Sequence, residues 1–217
     1  MDIFNVFREA ANAEQAVKMS AYMREQFIFL GIPKPERVKL SHDFIKTMAK
    51  VKYAPDWDFC FKCWEQPERE FQYLAKDYLA KITAALTVDD IPNFRQLVVT
   101  KSWWDTVDGI DTIIGDIALR FPQVNETLLA WSLDGNIWLR RIAIDHQLLR
   151  KDRTDTGLLA QIIANNLGQT EFFINKAIGW SLREYSKTNP GWVRGFIDEH
   201  RAVMSSLSIR EAGKYIY

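Results

Sequence analysis

Apolar side chains recur every three or four positions along most of the chain, and no stretch shows the sustained alternation of a β-strand. The pattern predicts an all-α protein whose glycine and proline residues fall mostly between the helices. The predicted helices cover residues 2–11, 13–27, 35–50, 56–63, 67–81, 90–98, 103–119, 123–132, 136–149, 155–166, 171–187, 190–199 and 208–216. The breaks lie at 31–33, 53–55, 121–122, 134–136 and 189–191. None is long enough to separate two domains, so residues 1–217 are predicted to form one domain.

A coarse repeat runs through the predicted helices. Asp108, Arg141 and Trp180 fall on successive long helices, 33 and 39 residues apart, and each interval holds a long helix, a turn and a second helix. A period of about 40 residues with paired helices is typical of a HEAT-like α-α superhelix, a solenoid with a concave face. Residues at equivalent places in successive repeats then meet on that face. An irregular helical bundle is the competing architecture.

The helix predicted over 103–119 has two different faces. Ser102 and Asp105 have the spacing of a capping box, which predicts that the helix starts there. One face is an apolar stripe of Trp103, Val107, Ile110, Ile114 and Ile117. The neighbouring face, which the stripe does not need, carries Trp104, Asp108, Asp111 and Gly115. An indole and a carboxylate one turn apart on this second face predict an active surface.

Two later predicted helices carry cationic side chains at positions where a partner or a ligand is expected. Arg141 lies within an apolar row, and an unpaired buried charge is costly, so it needs a partner, for which Asp108 is the candidate. A purely structural ion pair is the alternative. On the helix over 171–187, a stripe at helical spacing consists of Lys176, Trp180, Arg183 and Lys187. An indole flanked by cations suits a nucleic-acid backbone with a stacking contact. A half-buried indole under extended cationic side chains is the alternative.

Composition agrees with a globular protein. The chain is 47% hydrophobic and 26% charged, which suits a domain with a substantial core. No apolar run approaches the roughly 18 residues that a membrane span requires. The start of the chain has neither the basic residues nor the apolar run of a signal peptide, so a cytoplasmic protein is expected.

The local distribution of charge is more informative about phosphate binding than the net charge. The 28 lysine and arginine residues balance 28 aspartate and glutamate residues. Residues 34–52 nevertheless carry six basic against two acidic side chains, and residues 138–153 carry five against two. Such local patches bind phosphate in some proteins and are merely solvated helix faces in others.

The two cysteines, Cys60 and Cys63, have C-x-x-C spacing. Zinc needs about four ligands, and the three histidines are scattered through the chain. The segment around the cysteines has the pattern of an amphipathic helix rather than the strand–helix context of a redox motif. Two reduced cysteines on a helix are predicted, and no metal or cofactor is expected.

Several blocks of sequence resemble the AlkD-like DNA alkylpurine glycosylases, bacterial DNA alkylation repair enzymes with a HEAT-like α-solenoid fold. The matching blocks are 27–32 with 35–37, 67–72, 100–108, 136–141, 172–187 and 210–212. The blocks 100–108 and 172–187 are the most specific. The chain departs from the family pattern at Asp145-His146, where relatives tend to be apolar.

The resemblance implies a role for each candidate residue. Asp108 corresponds to the family's catalytic carboxylate, Trp104 and Trp180 to the two indoles beside the lesion sugar, and Arg141 to the arginine beside that carboxylate. It further implies that Tyr22 lines the cleft and that Lys101 contacts phosphate. Together with the stripe that contains Lys176, Arg183 and Lys187, these residues give the predicted DNA-binding set.

The reaction implied by the resemblance requires neither a general acid nor a Schiff-base nucleophile from the protein. An N3- or N7-alkylated purine carries a fixed positive charge and leaves as a neutral base, so no general acid is required, which agrees with a cleft that has no evident histidine. An ionised Asp108, favoured by a nearby Arg141, stabilises the positive charge that develops on the sugar. No lysine is assigned as a Schiff-base nucleophile. We therefore expect a monomeric, monofunctional glycosylase that acts on duplex DNA and leaves an abasic site. A family member that binds DNA or protein without excising bases is the alternative.

Overall fold

The structure, a computed structural model, describes residues 2–50 and 54–216. Within these ranges the chain is all-α, as predicted, with an isolated parallel bridge between Ile28 and Glu68 and no β-strand. The α-helices are α1 Ile3–Glu9, α2 Ala13–Tyr22, α3 Lys34–Met48, α4 Trp57–Glu65, α5 Arg69–Lys81, α6 Ile91–Val98, α7 Trp104–Arg120, α8 Val124–Trp131, α9 Ile137–Asp145, α10 Thr156–Ala164, α11 Phe172–Ser186, α12 Pro190–His200 and α13 Ser206–Ala212. Short 3₁₀ turns lie at Thr83–Ala85, Val88–Asp90, Lys151–Arg153 and Gly213–Tyr215. No described helix is long and apolar enough to cross a membrane.

Two helices end earlier than predicted, and residues with left-handed backbone follow both of them. α2 ends at residue 22 rather than 27, since Arg24 and Glu25 have φ values of 55° and 58°. α9 ends at residue 145 rather than 149, and Leu149 has a φ of 64°. A right-handed helix cannot continue through such residues. The break predicted at 53–55 includes Tyr53, which lies outside the described residues.

The predicted capping box at the start of α7 is wrong, although the helix starts within one residue of the predicted position. The N-cap is Trp103, which makes no side-chain cap. The hydroxyl of Ser102 instead donates to the Val98 carbonyl, 2.5 Å away, at the end of α6. Thr87 and Asp90 form a capping box that the sequence analysis did not identify. Ser102 thus binds a carbonyl at the end of α6 rather than an N–H group at the start of α7.

The chain contains two compact units, Met1–Leu86 and Thr87–Tyr217. In the first unit, buried Phe4 and Phe7 of α1 stack on Phe71 of α5. Buried Glu70 accepts hydrogen bonds from the backbone N–H groups of residues 30, 31 and 32 at 2.8–3.1 Å. Gly31 has a φ of 89°, and a Cβ there would lie 2.0 Å from the Asn12 carbonyl oxygen. One carboxylate therefore fixes the turn before α3.

Cys60 and Cys63 lie on α4 of this unit, as predicted. Both are buried and neither forms a disulfide. Burial raises the pKa of both thiols far above its usual range. They behave as small apolar core residues.

In the second unit, α7, α9 and α11 lie side by side in one layer. α6 and α8 pack against α7 and α9, α10 packs against α8 and α9, and α12 and α13 pack on α11. Two glycines mark close approaches, one between α7 and the end of α9 and one between α11 and α13. A Cβ at Gly115 would lie 2.1 Å from the His146 carbonyl oxygen, and a Cβ at Gly179 would lie 2.5 Å from Cβ of Glu211. The three long helices marked by Asp108, Arg141 and Trp180 are therefore neighbours.

Candidate active site

The centre of the site is a two-point ion pair between α7 and α9. Arg141 donates from Nε to Oδ1 of Asp108 at 2.7 Å and from Nη2 to Oδ2 at 2.8 Å. The Arg141 side chain is only 2% exposed, whereas that of Asp108 is 24% exposed. Arg141 thus pairs with Asp108, the partner that the sequence suggested for it. A fixed, buried cation holds a carboxylate that still reaches solvent.

The third helix of the layer also binds the guanidinium. Nη1 of Arg141 donates to the Phe173 carbonyl at 2.7 Å, at the start of α11. Trp103, Trp138 and Phe173 pack in one aromatic cluster with ring centres 4.9–5.7 Å apart. These rings join the starts of α7, α9 and α11, so they fix the position of the Phe173 carbonyl. The sequence analysis did not single out Trp138 or Phe173, because their rings meet only in the folded chain.

Trp180 is surrounded by cations. Its ring centre lies 5.4 Å from the guanidinium carbon of Arg141, 5.5 Å from Nζ of Lys176 and 5.9 Å from the guanidinium carbon of Arg183. The indole is half-buried. Arg141 therefore contacts both Asp108 and Trp180, which brings an anion, a guanidinium and an indole together across three helices. The attraction between each cation and the ring helps to hold this arrangement.

Glu211, on α13, compensates the charge of this cationic surface. Its oxygens lie 2.9 Å from Nζ of Lys176, 3.0 Å from Nη1 of Arg183 and 2.9 Å from Nζ of Lys214. Hydrogen bonds from Lys214 and Lys176 lower the pKa of Glu211 to about 2, against the effect of burial. Glu211 lies within the matching block 210–212, but its local sequence does not indicate this role. The close approach of α13 to Gly179 is what puts it here.

Part of the predicted active face is buried. Asp111 and Gly115 of α7 are covered by α9, so the exposed part of that face is limited to Trp104 and Asp108. Asp145, one turn after Arg141, is also buried, and its Oδ2 lies 3.9 Å from Nη2 of Arg141. The expectation that Asp111 and Gly115 belong to the active surface is therefore wrong. Periodicity places residues on a face but does not say which helix covers it.

Three carboxylates thus surround one guanidinium. Oxygen atoms of Asp108, Asp111 and Asp145 lie within 4.8 Å of one another, which is close enough for a set of metal ligands. The guanidinium of Arg141 already takes both oxygens of Asp108 and approaches Asp145. We therefore assign this cluster to the protein's own cation rather than to a metal ion.

Burial controls the protonation of this cluster. Burial and the neighbouring carboxylates raise the pKa of Asp111 well above its usual value. Burial raises the pKa of Asp145 to about 7, against the opposing effect of Arg141. Burial lowers the pKa of the adjacent His146 to about 3, so this imidazole is neutral at neutral pH. Burial therefore disfavours the charged forms of Asp111, Asp145 and His146 alike.

Comparison with known proteins gives the family. The family model of the DNA alkylation repair enzymes matches residues 3–216. The chain belongs to this family. A solved structure described as a "predicted DNA alkylation repair enzyme from Enterococcus faecalis" is 38% identical, with a TM-score of 0.86 over 95% of this chain and 96% of that one. No curated protein matches the chain. DNA alkylation repair is therefore its role, and the all-α fold is that of the family.

The other predicted residues of this DNA alkylation repair enzyme lie at the start of α7, at the end of α11 or on α2. Trp104 is the first residue of α7, one turn before Asp108, and Lys101 precedes it in a left-handed turn with a φ of 50°. Lys187 pairs with Glu184 at 2.5 Å, and its ammonium lies 5.3 Å from the Tyr215 ring centre. Tyr22 ends α2 in the first unit. Its ring is prominent, because the residue is 71% exposed.

Proposed function

We propose that this enzyme hydrolyses the N-glycosidic bond of cationic N3- and N7-alkylpurines in duplex DNA and leaves an abasic site. The observation that carries the proposal is the Asp108 carboxylate, part-exposed and fixed at two points by a buried arginine that also contacts Trp180. A carboxylate held in this way needs no reorganisation when positive charge develops in front of it.

The chemistry requires an anion more than an acid. The alkylated base is already cationic, so it departs without protonation, and positive charge accumulates on the deoxyribose as the bond stretches. Asp108 stabilises that charge and orients the attacking water. The indoles of Trp104 and Trp180 add an attraction of about 0.5 to 2 kcal/mol each for a desolvated cationic sugar. The nearest buried histidine, His146, is neutral and lies behind α7, so it takes no part.

The cations around Trp180 suit the phosphates that flank a lesion. Lys176 and Arg183 keep side-chain exposures of 25% and 27% despite their pairing with Glu211. Lys101, just before α7, and Lys187, at the end of α11, are proposed to have the same role. Tyr22, exposed on α2, is a separate proposed DNA contact. In this proposal the lesion stays in the duplex, and selectivity comes from the lability of the cationic nucleotide.

Release of base from duplex DNA that contains N7-methylguanine tests the proposal. Asp108→Asn keeps the shape and hydrogen bonding of the side chain but removes its charge, and it should slow release about 100- to 1,000-fold. Asp116→Asn is the matched control, because Asp116 is an exposed carboxylate of the same helix that pairs with Arg120. It should retain the wild-type rate.

Two outcomes contradict the proposal. If Asp108→Asn releases base as fast as the wild type, the carboxylate does not drive the reaction. If neither protein releases base although both bind the duplex, the chain is a DNA-binding family member without glycosylase activity. In that case its role in repair would lie in recognising the lesion.

A further inference from the structure

The carboxylate of Asp145 lies in an unusual environment for an ionisable group. Its side chain is 1% exposed, and neither carboxylate oxygen has a hydrogen-bond partner among the residues that the structure describes. Its Oδ2 lies 3.9 Å from Nη2 of Arg141, the nitrogen that donates to Oδ2 of Asp108. One guanidinium nitrogen therefore faces two carboxylates, one of which reaches solvent and one of which does not.

A buried carboxylate without hydrogen bonds is costly if it is charged, and it is tolerated only when it is neutral or close to a cation. The two states of Asp145 have different effects on its neighbours. When Asp145 is neutral, the positive charge of Arg141 is directed at Asp108 alone. When Asp145 is ionised, it shares that positive charge, and more of the negative charge of Asp108 acts on whatever lies in front of it.

We propose that Asp145 is a positioning residue that sets the effective negative charge of Asp108 through Arg141, so that the site is more active when Asp145 is ionised. The proposal rests on the proposed glycosylase function, in which the charge of Asp108 stabilises the cationic sugar. Asp145 touches neither substrate nor water in this scheme. It acts through the shared guanidinium nitrogen.

Burial and the charged groups around Asp145 together place this switch near neutral pH. Burial disfavours its ionisation most, Asp108 of α7 adds to that effect, and Arg141 of α9 opposes it. Asp111 of α7 faces the same cluster, and burial and Asp145 raise its own pKa. α11 contributes the Phe173 carbonyl and the Trp180 ring, both of which contact Arg141. Within the described residues, Arg141 is the ion-pair partner of Asp145. Burial together with these charges raises the pKa of Asp145 to about 7, whereas burial lowers the pKa of the adjacent His146 to about 3.

The first test is the pH dependence of base release. Single-turnover rates are measured at saturating enzyme between pH 5.5 and 8.5, after subtraction of spontaneous depurination. The wild-type rate should rise with pH around 7. Asp145→Asn, which resembles the neutral state, should lose this rise and be about tenfold slower at pH 8.5, since it lacks the charge that counters Arg141. Asp198→Asn, an exposed carboxylate of α12 that pairs with Arg201, is the control and should follow the wild type.

The second test does not depend on activity. In protein labelled with ¹³C at the aspartate carboxyls, the Asp145 signal is identified by its loss in Asp145→Asn. It should titrate near pH 7, and the Asp108 signal should shift at the same midpoint in the wild type but not in the variant. Unchanged folding of the variant is verified by its amide spectrum.

The outcomes separate this inference from the proposed function. A wild type that releases no base at any pH refutes the glycosylase proposal, and with it the catalytic part of this inference. The coupling between Asp145 and Asp108 is then still decided by the titration. An Asp145 signal that titrates below pH 5, or identical pH profiles of wild type and Asp145→Asn, would overturn the inference while leaving an active glycosylase intact.

Discussion

Nζ of Lys176 lies 2.9 Å from Oε1 of Glu211 and 5.5 Å from the ring centre of Trp180. The cation that flanks the indole is thus held by a carboxylate from another helix. Arg183 repeats the arrangement with the second oxygen of Glu211. Glu211 therefore orders these cations and at the same time reduces their attraction for phosphate.

Glu211→Gln should lower stability and strengthen duplex binding. Loss of the charge-assisted hydrogen bonds should cost about 1–3 kcal/mol in the free energy of unfolding. Uncompensated cations should raise affinity at low salt and steepen the dependence of log affinity on log salt by about one. Denaturant unfolding and fluorescence anisotropy measure the two effects. Glu199→Gln, an exposed residue of α12, is the control, and equal salt slopes for all three proteins would contradict the charge compensation.

Arg141→Lys should destabilise the protein even though it preserves the charge. An ammonium cannot bind two oxygens of Asp108 and the Phe173 carbonyl in the geometry of the planar guanidinium. We expect a loss of about 2–4 kcal/mol in the free energy of unfolding, because the part-exposed Asp108 and the Phe173 carbonyl lose hydrogen bonds and the buried Asp145 loses its nearby guanidinium. Arg120→Lys, which changes a surface pair with Asp116, should cost less than about 0.5 kcal/mol. Similar losses in both variants would show that the central pair is not stabilising.

Two glycine substitutions should have opposite effects on thermal stability. Gly115→Ala would place a Cβ 2.1 Å from the His146 carbonyl oxygen, so α7 and α9 must separate, and we expect a loss of about 2–4 kcal/mol. Gly195→Ala lies within α12 and meets no atom within 4 Å. It should add about 0.5–1 kcal/mol, because alanine is the better helix former. Calorimetry measures both changes, and a neutral Gly115→Ala would mean that the helices do not approach this closely.

The stability difference between Asp145→Asn and the wild type should grow with pH. The pKa of Asp145 is raised to about 7 in the folded chain, so the folded state binds the extra proton and stability falls as pH rises from about 4 to about 7. The asparagine variant lacks this loss. It should be more stable than the wild type by about 1–3 kcal/mol at pH 8, and this advantage should be smaller at pH 5.

Urea unfolding at pH 5, 6, 7 and 8 measures this difference. The buried His146, whose pKa is lowered to about 3, destabilises both proteins alike below pH 6.5, so its effect cancels. A difference that does not change with pH would show that Asp145 titrates equally in the folded and unfolded chains.

The helices and the central ion pair follow from local sequence. A guanidinium in an apolar row requires an anion, and Asp108 was the carboxylate available at the matching place in the preceding repeat. Glu211 and Asp145 could not be identified in this way, because their roles depend on which helices approach Arg141 and Trp180 in the folded chain. The burial of Gly115 could not be predicted from local sequence either. Its spacing places it with Trp104 and Asp108, but the backbone of α9 covers it.

The contact between Gly179 and Glu211 makes the charge around Trp180 depend on α13. Substitutions confined to α13 would therefore change the electrostatic potential at the indole while leaving the two hydrogen bonds between Arg141 and Asp108 in place. The charge of one surface and the geometry of the central ion pair are thus separately adjustable.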